Sequence, residues 1–280
     1  MKCTWESFLS ILPLRFKSAV DKYGRQELEE LRLRLNQPVE LVLHNTTRYL
    51  DILVTEADIQ FVVNTASRYS PWAAATISKG YITALGGHRI GMCGECVVKE
   101  GTVTGIRTIT SLCVRIARDF PGIGKGLPMK GSLLILGPPG AGKTTLLRDL
   151  IRIRSENRAI TVIDERGEIF PCGQAFQTGQ RTDVLTGCNK AQGIEMALRT
   201  MGPKCIAVDE ITAPEDCQAL MAVGWCGVDL LATAHAETVS DLKKRTIYRP
   251  LWECGLFTQV IVLGRDKSRH IERMEICTSS

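Results

Sequence analysis

The rear half of the chain carries five short runs that are apolar at almost every position: residues 133–136, 159–163, 205–208, 230–232 and 260–263. Strands buried on both faces of a parallel sheet read this way, because neither face needs polar side chains. Between the runs the sequence reads as helix, over 144–154, 190–201 and 214–223. Asn189 is placed to cap the second helix and Gly202-Pro203 to stop it. Strand and helix in alternation predict a doubly wound α/β domain.

The front of the chain is mixed. Residues 5–23 read as one helix, ended by Gly24. Leu31-Arg32-Leu33-Arg34-Leu35 alternates apolar and basic positions as a half-buried strand does, and 39–43 is a second short strand. Thr55-Glu56-Ala57-Asp58 has the spacing of a capping box and predicts a helix to about Tyr69. Residues 88–98, 102–109 and 112–118 read as consecutive strands, the first two joined by a turn at Glu100-Gly101. Together these predict a smaller α+β domain over residues 1–120. The stretch from Asp119 to Pro128 is rich in Gly and Pro, which predicts a linker over 121–128 and a core domain over 129–280. Both segments have ordinary domain sizes.

Composition adds mainly exclusions. The chain has 280 residues, 44% of them apolar, enough for buried cores. A net charge of +5 is too weak to argue for nucleic acid or a membrane surface, and the densest basic cluster, Lys243-Lys244-Arg245, reads as a solvated helix face. Aromatic residues make up 6% and form no cluster with basic ones, so no groove for single-stranded nucleic acid is indicated. The longest apolar candidate for a membrane span, 219–234, is short and broken by Asp229. Met1-Lys2-Cys3-Thr4-Trp5-Glu6 lacks a signal-peptide layout. The expectation is a cytoplasmic protein, peripheral at a membrane only through protein partners. Among eleven cysteines only Cys93-Gly94-Glu95-Cys96 has motif spacing. No second pair completes a zinc site, and a strand context argues against a redox motif, so the thiols read as structural.

The strongest chemical signal is Gly137-Pro138-Pro139-Gly140-Ala141-Gly142-Lys143-Thr144, followed by Thr145. It matches the phosphate-loop pattern and lies between an apolar run and a helix, as that pattern requires. Glycines let backbone N–H groups curl inward on phosphate oxygens, and the helix adds its positive end. Lys143 reaches the β and γ phosphates and Thr144 offers a hydroxyl to Mg²⁺. Cys205-Ile206-Ala207-Val208-Asp209-Glu210 is a Walker B strand: Asp209 for Mg²⁺, Glu210 to orient and deprotonate water. An intrinsic glutamate of this kind points to RecA-like and AAA-type ATPases. GTPases instead read guanine with Asn-Lys-x-Asp. Asn189-Lys190-Ala191-Gln192 comes close, but Gln192 cannot make the paired acceptor contact.

Two further segments sit at strand ends. Asp164-Glu165-Arg166-Gly167-Glu168 places acids where ligands bind in such sheets, so Glu165 and Glu168 either face the metal or form a surface cluster around Arg166. His235 closes Leu231-Ala232-Thr233-Ala234-His235, a position that favours γ-phosphate sensing over a purely structural role.

The order of P-loop, acidic box, Walker B glutamate preceded by Leu198-Arg199, and histidine box resembles the type II and type IV secretion ATPases. A closer resemblance, over nearly the whole chain, is to the stage III sporulation AA family. Glu30-Leu31-Arg32-Leu33-Arg34 with Gln37-Pro38, Gly87-His88-Arg89-Ile90-Gly91, Ser111-Leu112-Cys113-Val114-Arg115-Ile116-Ala117-Arg118 and Asp164-Glu165-Arg166-Gly167-Glu168-Ile169 carry it. The resemblance implies a RecA-like core that hydrolyses ATP with Mg²⁺, and a homo-oligomeric ring, a hexamer. It places nucleotide between front domain and core. It also implies service to the mother cell–forespore channel of sporulating bacteria, with that channel's membrane proteins as partners and no direct nucleic-acid partner. Arg89, Arg107, Arg115 and Arg118 become candidates to neutralise γ-phosphate charge, Arg89 and Arg115 foremost; solvated strand charges are the alternative. The chain departs from the secretion ATPases where Asp209 and Thr212 stand in place of their glycine and arginine. The competing functions are a nucleic-acid translocase, a non-secretory P-loop ATPase and a non-catalytic nucleotide-binding scaffold. Glu210 argues against the last.

Overall fold

A computed structural model describes residues 2–44, 46–67, 80–171, 176–266 and 268–273. The chain divides into two compact units, Met1–Asp119 with Pro171–Ala175, and Phe120–Phe170 with Phe176–Ser280.

In the first unit the described strands are β1 (Lys2–Cys3), β2 (Leu28–Arg34), β3 (Pro38–Leu43), β4 (Thr46–Leu53), β5 (Tyr81–Thr83), β6 (Arg89–Lys99), β7 (Thr102–Arg115) and β8 (Arg118–Asp119). Six of them form an antiparallel sheet in the order β4-β3-β2-β7-β6-β5, while β1 pairs with β8. Alternation sorts the faces. Leu31, Leu33, Leu41, Ile90, Leu112 and Val114 are buried together with Phe8, Phe16 and Ile59 from the helices. Residues Glu30, Arg32 and Arg34 of β2 lie on the opposite face.

Residues 5–23 are not one helix. Trp5–Ser10 and Leu14–Asp21 are separate helices, and a single turn follows over Gly24–Glu27. Pro13 explains the break: it has no N–H to donate and its ring disfavours helix at Leu12. The capping box forms. Thr55 Oγ1 accepts from Asp58 N at 3.3 Å, Asp58 Oδ2 accepts from Thr55 N at 2.7 Å, and Glu56–Ser67 is the helix. Tyr69 lies outside the described residues. The expected break between 109 and 112 is absent. Thr110 O accepts from Leu35 N at 2.9 Å, and Ser111 is in register with Arg34 and Cys93, so β7 runs on through both. Glu100 and Gly101 both have positive φ (51° and 76°), the tight turn that matches strand twist in a hairpin.

The second unit has β9 (Leu133–Leu136), β10 (Ile160–Asp164), β11 (Thr182–Thr186), β12 (Cys205–Glu210), β13 (Asp229–Ala234), β14 (Gln259–Leu263) and β15 (Arg269–Arg273). The sheet order is β11-β10-β12-β13-β9-β14-β15; β15 is antiparallel to β14 and every other pairing is parallel. The all-apolar runs occupy its middle, with β9 buried throughout. Helices span Lys143–Arg154, Lys190–Thr200, Pro214–Trp225, Val239–Lys244 and Arg249–Glu253. Asn189 caps the second, accepting from Gln192 N at 2.9 Å.

The Gly- and Pro-rich stretch expected as a linker belongs to this second unit, and the division falls after Asp119. The buried carboxylate of Asp149 accepts from Gly122 N at 3.0 Å and from Gly124 N at 2.7 Å. Arg154, fully buried, donates to Pro128 O at 2.7 Å and Gly131 O at 2.9 Å.

Candidate functional site

Sheet order dictates which side chains meet. The P-loop follows β9. Its neighbour β13 ends at Ala234, just before His235, and β12, next along, ends in Asp209 and Glu210. Parallel strands put all three carboxyl ends on one edge of the sheet, where ligands of such folds bind. His235 is therefore set between Lys143 and Glu210, and the side chains form a chain. Lys143 Nζ donates to His235 Nδ1 at 2.9 Å, and His235 Nε2 lies 2.9 Å from Glu210 Oε1. An ammonium has no lone pair, so Nδ1 accepts, and Nε2 carries the proton it donates to the carboxylate. A neutral imidazole suffices.

The loop is built for this. Gly142 caps the helix Lys143–Arg154 in the left-handed region, φ 98°, and Gly140 has φ 76°; side chains rarely adopt either. Pro138 and Ala141 are buried, while Pro139 and Gly140 are exposed. Lys143 Nζ also donates to Pro138 O at 3.1 Å. Burial pulls the Lys143 ammonium below the ordinary lysine value, and Glu210 and Asp209 act against that pull. Thr144 and Thr145 are half-buried in the first turn of the helix. Thr144 Oγ1 lies 3.3 Å from Asp209 Oδ1, and Thr233 Oγ1, fully buried on β13, donates to the same oxygen at 3.2 Å. A hydroxyl beside a carboxylate is the hard-oxygen set that suits Mg²⁺, which keeps several waters and takes few protein ligands.

The acidic box lies at the end of β10. Asp164, 1% exposed, accepts from the backbone N–H groups of Glu168, Ile169 and Phe170 at 2.8, 3.0 and 2.8 Å. Burial nevertheless lifts its carboxyl to about 6, against those N–H groups and with a push from Asp209. Arg148 holds the same turn through the carbonyls of Glu168 and Ile169. An open cavity is lined by Asp164, Glu165, Arg166, Glu168, Lys190, Asp209, Glu210 and Thr212. Glu165 pairs there with Lys190 at 3.0 Å. The box thus opens onto the same cavity as Asp209 and Glu210.

Arg89 and Arg115 belong to the first unit. They stand opposite each other on β6 and β7; Arg115 pairs with Glu30 at 3.0 Å and Arg89 lies over the Tyr81 ring. Arg107 pairs with Glu95, and Arg118 donates to Leu28 O. A phosphate role for these arginines is carried by the resemblance alone. Cys93 and Cys96 are free and exposed on β6, and no group of three or more His, Cys, Asp or Glu side chains placed to hold a metal ion occurs among the described residues. Sequence reasoning gave no role to Thr233 or Lys190. The signal for Lys190 was its place as first residue of a helix, where a cation opposes the dipole and needs an acid nearby.

Residues 6–273 match the family model described as sporulation stage III, protein AA. Stage III sporulation protein AA of Bacillus subtilis (strain 168) is 38% identical over 278 residues, covering 92% of this chain and 90% of that protein. Solved structures that share the fold include the following two. The Legionella pneumophila ATPase DotB superposes with a TM-score of 0.61 at 17% identity, covering 94% of this chain and 80% of its own. The pilus retraction motor PilT with bound ADP gives 0.61 at 14%, covering 91% and 80%. The core is RecA-like, and the chain belongs to the stage III sporulation protein AA family.

Proposed function

We propose that the protein hydrolyses ATP with Mg²⁺ and spends the free energy on assembling, or moving cargo through, the channel between mother cell and forespore. The observation that carries the ATPase reading is the chain Lys143–His235–Glu210 beside the Thr144–Asp209 pair. In it a phosphate-binding cation is one imidazole away from a carboxylate base. The P-loop N–H groups and Lys143 bind the phosphates; Thr144 and Asp209 hold the metal. Bound Mg²⁺ supplies positive charge against the phosphate oxygens. Glu210 takes the proton of the attacking water, with one oxygen fixed by His235 Nε2 so that the other is free for it. His235 joins base to Lys143, so a change at the γ-phosphate reaches Glu210 through one side chain.

The sporulation role is supported by the family, and the motor reading by the shared fold with DotB and PilT. Such a motor works as a homo-oligomeric ring, here a hexamer, in the cytoplasm and peripheral to the membrane through channel proteins. No helix among the described residues is long and apolar enough to cross a membrane. A translocase of nucleic acid is the second reading, and salt-dependent DNA binding separates the two.

The test is hydrolysis together with assembly. ATP turnover should require Mg²⁺ and be lost in Lys143→Ala along with nucleotide binding. Light scattering with a non-hydrolysable ATP analogue should show a ring. A strictly monomeric protein with full activity at high concentration contradicts the ring, and turnover undiminished in Lys143→Ala contradicts the site.

A further inference from the structure

Lys190 is a buried cation in an unfavourable place. It opens the helix Lys190–Thr200, where unpaired N–H groups already make the field positive, and it is 8% exposed. Carboxylates hold it there: Nζ is 3.0 Å from Glu165 Oε2 and 3.7 Å from Asp216 Oδ2. These two acids come from different turns. Glu165 follows Asp164 at the end of β10. Asp216 lies in the first turn of Pro214–Trp225, and its Oδ2 accepts from Thr212 N at 3.0 Å and Ala213 N at 3.2 Å, two and three residues past Glu210. Glu165, Lys190 and Thr212 line the same cavity as Asp209 and Glu210.

We propose that Lys190 is a positioning residue for hydrolysis: it ties the acidic turn after β10 to the turn after β12 and so holds Glu210 where water is activated. The inference rests on the ATPase reading. Without the cation, Glu165 and Asp216 are left as like charges with no shared partner between them, and the two turns part. Neither ion pair of Lys190 reaches the P-loop. Its loss therefore separates turnover from binding, because small misplacements of a catalytic group cost rate and leave affinity alone.

The experiment compares Lys190→Gln, Lys190→Arg, Glu165→Gln and the double variant Lys190→Gln/Glu165→Gln in steady-state hydrolysis, with the Kd of a fluorescent ATP analogue and the melting temperature of each. Lys190→Gln should lower kcat by about 10²-fold while Kd stays within about threefold. Lys190→Arg should recover most of the loss. Glu165→Gln should fall in the same direction, and the double variant should be no worse than Lys190→Gln. A wild-type kcat in Lys190→Gln, a loss that appears only as weaker binding, or single losses that multiply in the double variant overturns the proposal. Should Lys190→Gln fail to fold, an unchanged kcat in Glu165→Gln, whose side chain is 35% exposed, overturns it as well. Wild-type protein that binds ATP without hydrolysing it defeats the ATPase reading and this inference together; hydrolysis intact in the variants defeats the inference alone.

Discussion

Two buried titratable groups give the two units opposite responses to acid. His88, fully buried in the first unit, accepts from Ala117 N at 3.2 Å and donates from Nε2 to Thr4 O at 3.0 Å, so it is neutral. Burial lowers its pKa to about 4 from an ordinary 6.5. Between those values the unfolded chain binds the proton and the folded one does not, so stability falls as pH drops from 6.5 to 4. Asp164 in the second unit behaves in the reverse sense. Its carboxyl titrates near 6 when folded and near 3.8 when unfolded, so folding is weakened as pH rises through that window. The size is at most about 3 kcal/mol. Thermal unfolding from pH 4 to 8 should show wild type losing ground to Asp164→Asn up to about pH 6, then running parallel to it. Against His88→Gln, wild type should lose ground below 6.5. A flat difference in either comparison removes the titration assigned to that residue.

Packing, more than local preference, decides the elements. Buried strands were legible in the sequence because β9, β10, β12, β13 and β14 are apolar runs enclosed on both sides. Within the two large sheets, the strands that went unread, β4, β5, β11 and β15, are the four outer edges. Their patterns are half solvated, as in Thr46–Leu53 and Arg269–Arg273, and charged edges of this kind block further pairing. The P-loop, Walker B and histidine positions were legible because each is a short motif at the end of a legible strand. Lys190 was not, since its partners Glu165 and Asp216 are brought to it only by the fold. The stretch 121–128 misled for a related reason: Gly and Pro signal turns, and turns can be pinned. Asp149 does the pinning, so Asp149→Ala should leave the Gly122 and Gly124 N–H groups unpaired. The expected cost is about 1–3 kcal/mol, with faster tryptic cleavage after Lys125. Wild-type resistance to trypsin in that variant would show that the segment is held by other contacts.

At the scale of the whole molecule, the site is a consequence of strand order. One strand, β13, is inserted between the P-loop strand and the Walker B strand, and its end supplies the histidine that joins them. His235→Ala should therefore uncouple the two, lowering kcat more than it changes nucleotide affinity. Equal losses in both would make His235 a binding residue only. The central claim, that this member of the stage III sporulation protein AA family is an ATPase with Glu210 as its base, is tested most directly by Glu210→Gln. Nucleotide binding and single-turnover hydrolysis should be measured on the same preparation. ATP affinity should stay close to wild type and hydrolysis should slow by roughly 10²–10⁴-fold. Turnover at the wild-type rate in Glu210→Gln would contradict it and move the base to Glu165 or Glu168.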